Sequence, residues 1–181
     1  MEALKKAIDA FVNAFKIADL RKKILFTLAV LIIYRVGAHI TIPGVNAAVL
    51  AEYFKNSNNL FGLYDSFTGG AFAKATVFAL GIMPYISASI IIQLMGSVIP
   101  GIQMLQKEGQ EGRAKLNQYT RYLTLAILIP QAIAYLSSLQ SILPGDVTVN
   151  INYVSSTIVL AAGSMFILWL GERITDKGIG N

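Results

Sequence analysis

The chain contains no cysteine and only one histidine, His39. Without cysteine it can form neither a disulfide framework nor a thiolate metal site, and a single histidine cannot build a metal cluster. Charged residues make up 14% of the chain, whereas an ordinary soluble domain carries about 25%. So little charge, together with a hydrophobic content of 55%, predicts a membrane protein.

The motifs of the common catalytic sites are also missing. The sequence has no phosphate-binding loop, no zinc-binding HExxH helix and no GxSxG nucleophile turn. The long apolar runs contain no pair of carboxylates that could serve as acid and base. We therefore predict no catalytic residue, no metal and no cofactor, and a protein that is not an enzyme.

The net charge of +5 could by itself suggest a nucleic-acid partner. The basic residues, however, cluster next to apolar runs, which is the arrangement that membrane topology requires. We therefore expect a lipid bilayer around the chain and no nucleic acid.

The apolar runs predict four membrane-spanning helices, each close to the ~20 residues that a bilayer requires. Residues 1–23 precede them as an amphipathic helix that either lies in the membrane interface or packs on another part of the protein. Residues 60–72 are apolar but too short to span. The predicted spans are 24–43, 75–99, 118–139 and 153–170. They are separated by a loop at 44–74, which includes residues 60–72, and by loops at 100–117 and 140–152, and they are followed by a tail at 171–181.

The second run is unusual for a simple anchor. Residues 75–106 carry no charge, yet Pro84 lies inside the run, where it is expected to kink a helix. Ser87, Ser89 and Gln93 follow it. A kinked and partly polar helix suits the wall of something that opens, although packing against neighbouring helices also explains it.

The distribution of Lys and Arg predicts the orientation, since the side that carries more of them is normally cytoplasmic. One side holds six in the N-terminal segment, four between spans two and three (counted through Arg121) and two after span four. The opposite side holds only Lys55 and Lys74, and Arg35 falls inside span one. Both termini are therefore predicted to be cytoplasmic.

Four short blocks resemble the SecY family, the channel subunits of the bacterial Sec protein translocase, and they occur in the family's order. They are residues 42–44, 81–94, 118–122 and the pair 171–175 and 178–181. The family has ten transmembrane helices in two inverted halves, whereas this chain ends after four. The resemblance therefore implies an all-α multi-pass membrane protein that forms part of the first half of such a channel, with a short plug helix.

The resemblance also implies roles for particular residues. Residues 60–72 correspond to the plug, which includes Phe67, Thr68, Gly69 and Gly70. Two members of the aliphatic ring that seals the pore correspond to Ile82 and Ile86, and the lateral gate for signal sequences corresponds to Ser87, Ile90 and Gln93.

The resemblance further implies a bacterial plasma membrane location. The implied partners are SecE, SecG, SecA, the ribosome, signal sequences and translocating polypeptides.

Other interpretations stay open at this stage. A secondary transporter also uses broken helices and inward polar residues, but it usually has ionisable groups at the midplane, which spans two to four lack. A structural or assembly subunit would need only plain spans. Ile82 and Ile86 could simply face lipid or neighbouring helices. Arg35, about 16 Å from the start of span one, marks either a functional site or a structural hydrogen bond.

Overall fold

The computed structural model describes residues 17–56, 60–142 and 151–180. The described part is helical apart from turns and one isolated antiparallel bridge between Thr41 and Thr76. Its helices are α1 (Ala18–Gly37), α2 (Ala47–Asn56), α3 (Leu60–Phe67), α4 (Met83–Val98), α5 (Pro100–Lys107), α6 (Gln110–Ile142) and α7 (Tyr153–Lys177).

Two of these helices are long and apolar enough to cross a membrane, namely residues 110–141 of α6 and the whole of α7. A third crossing is formed if α4 and α5 are counted as one span, which is bent by 104° between them. The predicted all-α multi-pass membrane protein is therefore confirmed. α1 falls outside this set because its 20 residues include Asp19, the three cations of residues 21–23, and Arg35. Span one thus stays a prediction.

The helix bounds differ from the predicted ones in the second span. A helix is predicted from residue 75, but α4 begins at Met83 and residues 68–82 form successive turns. Pro84 therefore lies in the first turn of α4, not in its interior. Proline is tolerated there because the first amides of a helix have no intrahelical partner to lose, so Pro84 starts a helix where a kink is predicted.

The polar segments are also more helical than predicted. α5 and the first turns of α6 occupy the predicted loop 100–117, and α7 continues through most of the predicted tail. Gly109, with φ of 74°, supplies the left-handed turn that separates α5 from α6. α1 runs without a break across residue 23, where an amphipathic segment was predicted to give way to a span. Residues 1–16 of that segment and residues 143–150 of the outer loop lie outside the described residues.

Asn46 caps the N-terminus of α2. The Asn46 side-chain Oδ1 accepts a hydrogen bond from the Ala48 amide at 3.2 Å, which satisfies one of the free amides of the first turn.

The chain forms two compact units, of which one comprises residues 37–167. Its core is built around the turns of residues 68–82 and is completed by side chains of α2, α6 and α7. The buried members of this core are Ile42, Leu50, Phe72, Ala75, Ala79, Leu80, Leu128, Ala132, Tyr135, Leu136, Leu139, Ile151 and Leu160.

The turns are stable in this core because their backbone groups form hydrogen bonds within the protein. The Ile42 amide donates to the Ala75 carbonyl and the Val77 amide donates to the Ile40 carbonyl, both at 2.9 Å. The Tyr135 hydroxyl on α6 donates to the Phe72 carbonyl at 2.8 Å. Non-helical backbone at membrane depth is tolerated only where protein satisfies it in this way.

The other unit comprises residues 1–36 and 168–181. Within it, the Thr27 hydroxyl of α1 donates to the Lys23 carbonyl at 2.9 Å and accepts the Ile179 amide at 3.3 Å. The Arg173 guanidinium lies 5.4 Å from the centre of the Trp169 ring, which is within the range of a cation–π contact.

Candidate functional site: the exposed face of α4 and the turns before it

α4 has one buried and one exposed face. Its buried residues, which recur every fourth position, are Pro84, Ala88, Ile92 and Gly96. Residues four apart lie on one side of a helix, so this row is the side that packs against the protein. The opposite side is exposed and mostly aliphatic, which leaves an uncovered apolar surface along a helix of a membrane protein.

The predicted ring residues lie together at the start of this exposed face. Ile82 is the N-cap of α4, and its carbonyl accepts the Ile86 amide at 3.1 Å. The two side chains are therefore one turn apart, and they are 37% and 42% exposed. Gly81, with φ of 57°, precedes them, so a left-handed residue that favours glycine ends the buried turns and starts the helix.

The predicted lateral-gate residues are on the same exposed side of α4. Ile90 is one turn beyond Ile86 and is 51% exposed, while Ser87 and Gln93 are also exposed. The Gln93 side-chain amide donates to the Ser89 hydroxyl at 3.3 Å. The structure thus brings the predicted ring and gate residues onto one helix surface.

The predicted plug residues are divided by the structure. Phe67 ends α3 and is 76% exposed, whereas Thr68 is buried. Gly69 and Gly70 follow with φ of 61° and 86°, a conformation that glycine adopts without the strain that other residues would incur. Ala71 and Phe72 are buried. The predicted plug segment of 60–72 therefore contains both exposed residues of α3 and buried residues of the core, and its role stays a prediction.

Asp65 is a residue that the sequence analysis missed. Its side-chain Oδ1 accepts the Ala73 amide at 2.8 Å, and its carbonyl accepts the Gly70 amide at 3.0 Å. The signal that could have found it is local, since an aspartate followed closely by two glycines is typical of a turn held by side-chain hydrogen bonds.

Arg35 was predicted to lie about halfway along span one, residues 24–43. The structure instead ends α1 at Gly37. Arg35 therefore lies in the last turn of α1, and it is exposed. A cation is favourable in that turn because the C-terminal end of a helix is its negative end. The favourable position in the last turn is a structural explanation for a cation at residue 35.

The described residues contain no group of three or more His, Asp or Glu side chains placed to hold a metal ion. The site is instead an apolar surface with three small or amide side chains, Ser87, Ser89 and Gln93. Such a surface can contact apolar chains and exclude water. It offers neither a nucleophile with an adjacent general base nor a cluster of charges.

The chain was compared with known proteins. The SecY family model matches residues 76–181. The "Protein translocase subunit SecY" of Streptomyces scabiei is 46% identical over 96% of this chain and 43% of its own length. The protein of the same name from Thermotoga maritima is 46% identical over 96% of this chain and 42% of its own.

A third relative of that name, from Haemophilus influenzae, is 44% identical over 90% of this chain and 38% of its own length. This chain therefore spans less than half the length of the curated relatives that it matches.

Proposed function

We propose a function on one established premise, which is that the chain belongs to the SecY family. The chain is the N-terminal portion of a protein-conducting channel in the bacterial plasma membrane, with its N-terminus in the cytoplasm. The assembled channel passes unfolded secretory proteins across the membrane and membrane proteins into it. The observation that carries this proposal is the identity of 46% over 96% of the chain to proteins named as translocase subunits.

Within that channel, Ile82 and Ile86 contribute to a ring of aliphatic side chains at the narrowest point of the pore. Two properties of these residues support the role: they are one helical turn apart, and they face away from the protein core. An aliphatic constriction excludes water, so ions cannot cross it without losing their hydration shell. It also forms no directional hydrogen bonds, so a polypeptide of any sequence can slide past it.

The exposed side of α4 further along, with Ser87, Ile90 and Gln93, forms one side of a lateral gate through which signal sequences reach lipid. Its mixed surface supports this role, because isoleucine can contact apolar segments while the Gln93 amide donates to the Ser89 hydroxyl of the same helix. α3, with the glycines after it, forms the plug that blocks the pore on the outer side.

The channel is passive, and the energy for translocation comes from a motor that docks on the cytoplasmic face. We propose that the whole assembly includes SecE and SecG and that SecA or the ribosome docks on it. Family membership supports these partners.

The proposal is tested by preprotein translocation into vesicles. The chain alone is expected to translocate nothing, even with SecA and ATP, because four spans enclose only part of a pore. Adding the remaining helices of a full-length relative as a second polypeptide is expected to restore translocation. Translocation by the chain alone would refute the proposal, and proton-coupled uptake of a small solute by the chain would indicate a secondary transporter instead.

A further inference from the structure

The two membrane-crossing helices, α6 and α7, leave a groove between them. The groove has a volume of about 640 Å³, which is in the range of sites that hold a small ligand. Its walls carry five exposed branched side chains, which are Leu125, Ile129 and Ile133 of α6 and Val154 and Ile158 of α7. The groove is therefore an open surface site that the described part of the chain does not fill.

The chemistry of the lining limits what the groove can hold. Of the described residues that line it, none carries a charge, and only Tyr153 and Thr157 have polar groups. Ala161 and Ala162 also line the groove, and their short side chains leave its space open. An ionised ligand would lose its hydration in such a lining without gaining a partner. The groove therefore suits an uncharged hydrocarbon chain.

The length of the groove distinguishes between two kinds of hydrocarbon occupant. Its lining extends on α7 from Tyr153 to Met165, which is about 18 Å at 1.5 Å per residue. On α6 it extends from Leu125 to Ile133, which is about 12 Å. The hydrocarbon of one leaflet is about 15 Å thick, half of the bilayer core, whereas a transmembrane helix crosses the whole core of about 30 Å. The groove thus matches an acyl chain of one leaflet better than a helix.

A pair of polar side chains marks one end of the groove. The Tyr153 hydroxyl, at the start of α7, donates to Oε1 of Gln140, near the end of α6. Since this bond engages the amide oxygen, the Gln140 NH2 group is the donor that remains for a ligand. Tyrosine is typical of the membrane–water interface, which is also the depth of the ester and phosphate oxygens of a phospholipid. The polar end therefore lies where a lipid headgroup is expected.

The groove is continuous with the surface that α6 and α7 present to the bilayer. Val154 and Ile158, on its rim, are 71% and 62% exposed on a helix that crosses the membrane. An unfilled groove loses dispersion contacts along its walls, and a flexible acyl chain restores them. The bilayer is thus both in contact with the opening and able to supply the occupant.

We propose that this groove binds one acyl chain of a phospholipid from the leaflet at the Tyr153 end, and that Gln140 donates a hydrogen bond to an oxygen of the same lipid. The site lies on the lipid side of the chain, away from the α4 surface described above. It goes beyond the proposed function, since it requires only that α6 and α7 cross a membrane.

The test uses the full-length channel with its partner subunits, reconstituted in phosphatidylcholine vesicles. A fraction of the lipid carries a photoreactive diazirine in the middle of one acyl chain, and mass spectrometry after illumination measures lipid adducts at Ile129 and Ile133. Ala162→Phe fills the groove from its exposed side. Ala134→Phe is the matched control, because Ala134 is an exposed residue of α6 that is not among the lining residues. Thermal unfolding verifies that each variant is folded.

Ala162→Phe is expected to lower the adduct yield about fivefold or more, as the loss of roughly ten atom contacts implies. Ala134→Phe is expected to stay within about twofold of the parent protein. A second variant, Gln140→Leu, lies at the end of the groove and leaves its walls intact; it is expected to lower the yield about threefold, as the loss of one hydrogen bond implies.

Equal yields in the parent protein, Ala162→Phe and Gln140→Leu would overturn the proposal, because the adducts would then come from lipid that has no preferred site. Adducts that form only when the partner subunits are removed would also overturn it, since a helix of a partner would then occupy the groove in the complete complex.

Discussion

Gly163 is a residue at which the backbone of α7 lies close to the buried turns. A Cβ built on it would lie 1.9 Å from the Val77 carbonyl oxygen, a distance that only a backbone shift could relieve. Val77 is itself held by its hydrogen bond to Ile40, so the backbone there has little freedom to move. The absence of a side chain at Gly163 is therefore a condition of the packing between α7 and the turns.

We predict that Gly163→Ala lowers the free energy of unfolding by about 2 kcal/mol, since overpacking a close contact typically costs 1–3 kcal/mol. The measurement is thermal unfolding of the channel in detergent. Gly171→Ala is the matched control, because Gly171 lies in the same helix and its Cβ would meet nothing within 4 Å. Equal effects of the two substitutions would show that this close approach does not exist.

Ile82 and Ile86 carry the second prediction at this scale. In the full-length channel, replacing both with serine is expected to raise ion leak while preprotein transport continues, because the hydroxyls hydrate a constriction that was dry. Lowering the barrier by about 1.4 kcal/mol is enough to raise the leak about tenfold. Ile91→Ser is the control, since Ile91 is 38% exposed, close to the 37% of Ile82, but at 3.6 residues per turn it lies about half a turn round α4 from Ile82. A leak that rises equally in the control would contradict the assignment of the pore face.

Among the elements, the turns of residues 68–82 could not be predicted from the sequence. The uncharged run from residue 75 is compatible with a helix throughout, and Gly81 and Pro84, which flank the start of α4 at Met83, are equally compatible with a kink inside a longer helix. The deciding interactions join the turns to residues that are distant in sequence. They are the backbone hydrogen bonds to residues 40–42, the bond from the Tyr135 hydroxyl and the close approach of α7 at Gly163. Tertiary contacts of this kind regularly override a local helix preference.

The burial at the end of the predicted plug segment could not be predicted for the same reason. Phe72 is apolar and follows two glycines, so the sequence groups it with α3, whereas its contacts with Tyr135 place it in the core. The candidate pore and gate residues were easier to predict, because Ile82, Ile86 and Ile90 fall at helical spacing within a block that resembles a known family, and their roles stay predictions. The role of Asp65 required the coordinates, since its partner lies eight residues away.

Two deletions, of residues 60–67 and of residues 60–72, test whether Phe72 belongs to the core. Removing residues 60–67 from the full-length channel is expected to leave the channel assembled and leaky to ions, because only α3 is lost. Extending the deletion to residue 72 is expected to destabilise the protein, since burying a phenylalanine typically contributes about 3–5 kcal/mol. Assembly is measured by size-exclusion chromatography and leak by vesicle conductance. A channel that tolerates both deletions equally would contradict the assignment of Phe72 to the core.

For the whole molecule, the orientation in the membrane is predicted from the distribution of Lys and Arg. The absence of cysteine from the chain makes this prediction simple to test. Single cysteines at Asn58 and Asp146, which lie outside the described residues, are predicted to react with a membrane-impermeant reagent from outside the cell. Cysteines at Gln110 and Lys177 are predicted to react only after the membrane is opened. External labelling at Gln110 would invert the topology, because the excess of Lys and Arg would then face outward.

The central claim is that the side of α4 that carries Ile82 and Ile86 lines the path of a translocating polypeptide. The most direct measurement is site-specific crosslinking in the full-length channel, with a preprotein arrested midway and one cysteine at a time in α4. Cysteines at Ile82 and Ile86 are predicted to crosslink to the arrested chain, and cysteines at Ile91 and Ile92 are predicted to crosslink much less. Crosslinking at Ile91 with none at Ile82 or Ile86 would contradict the account.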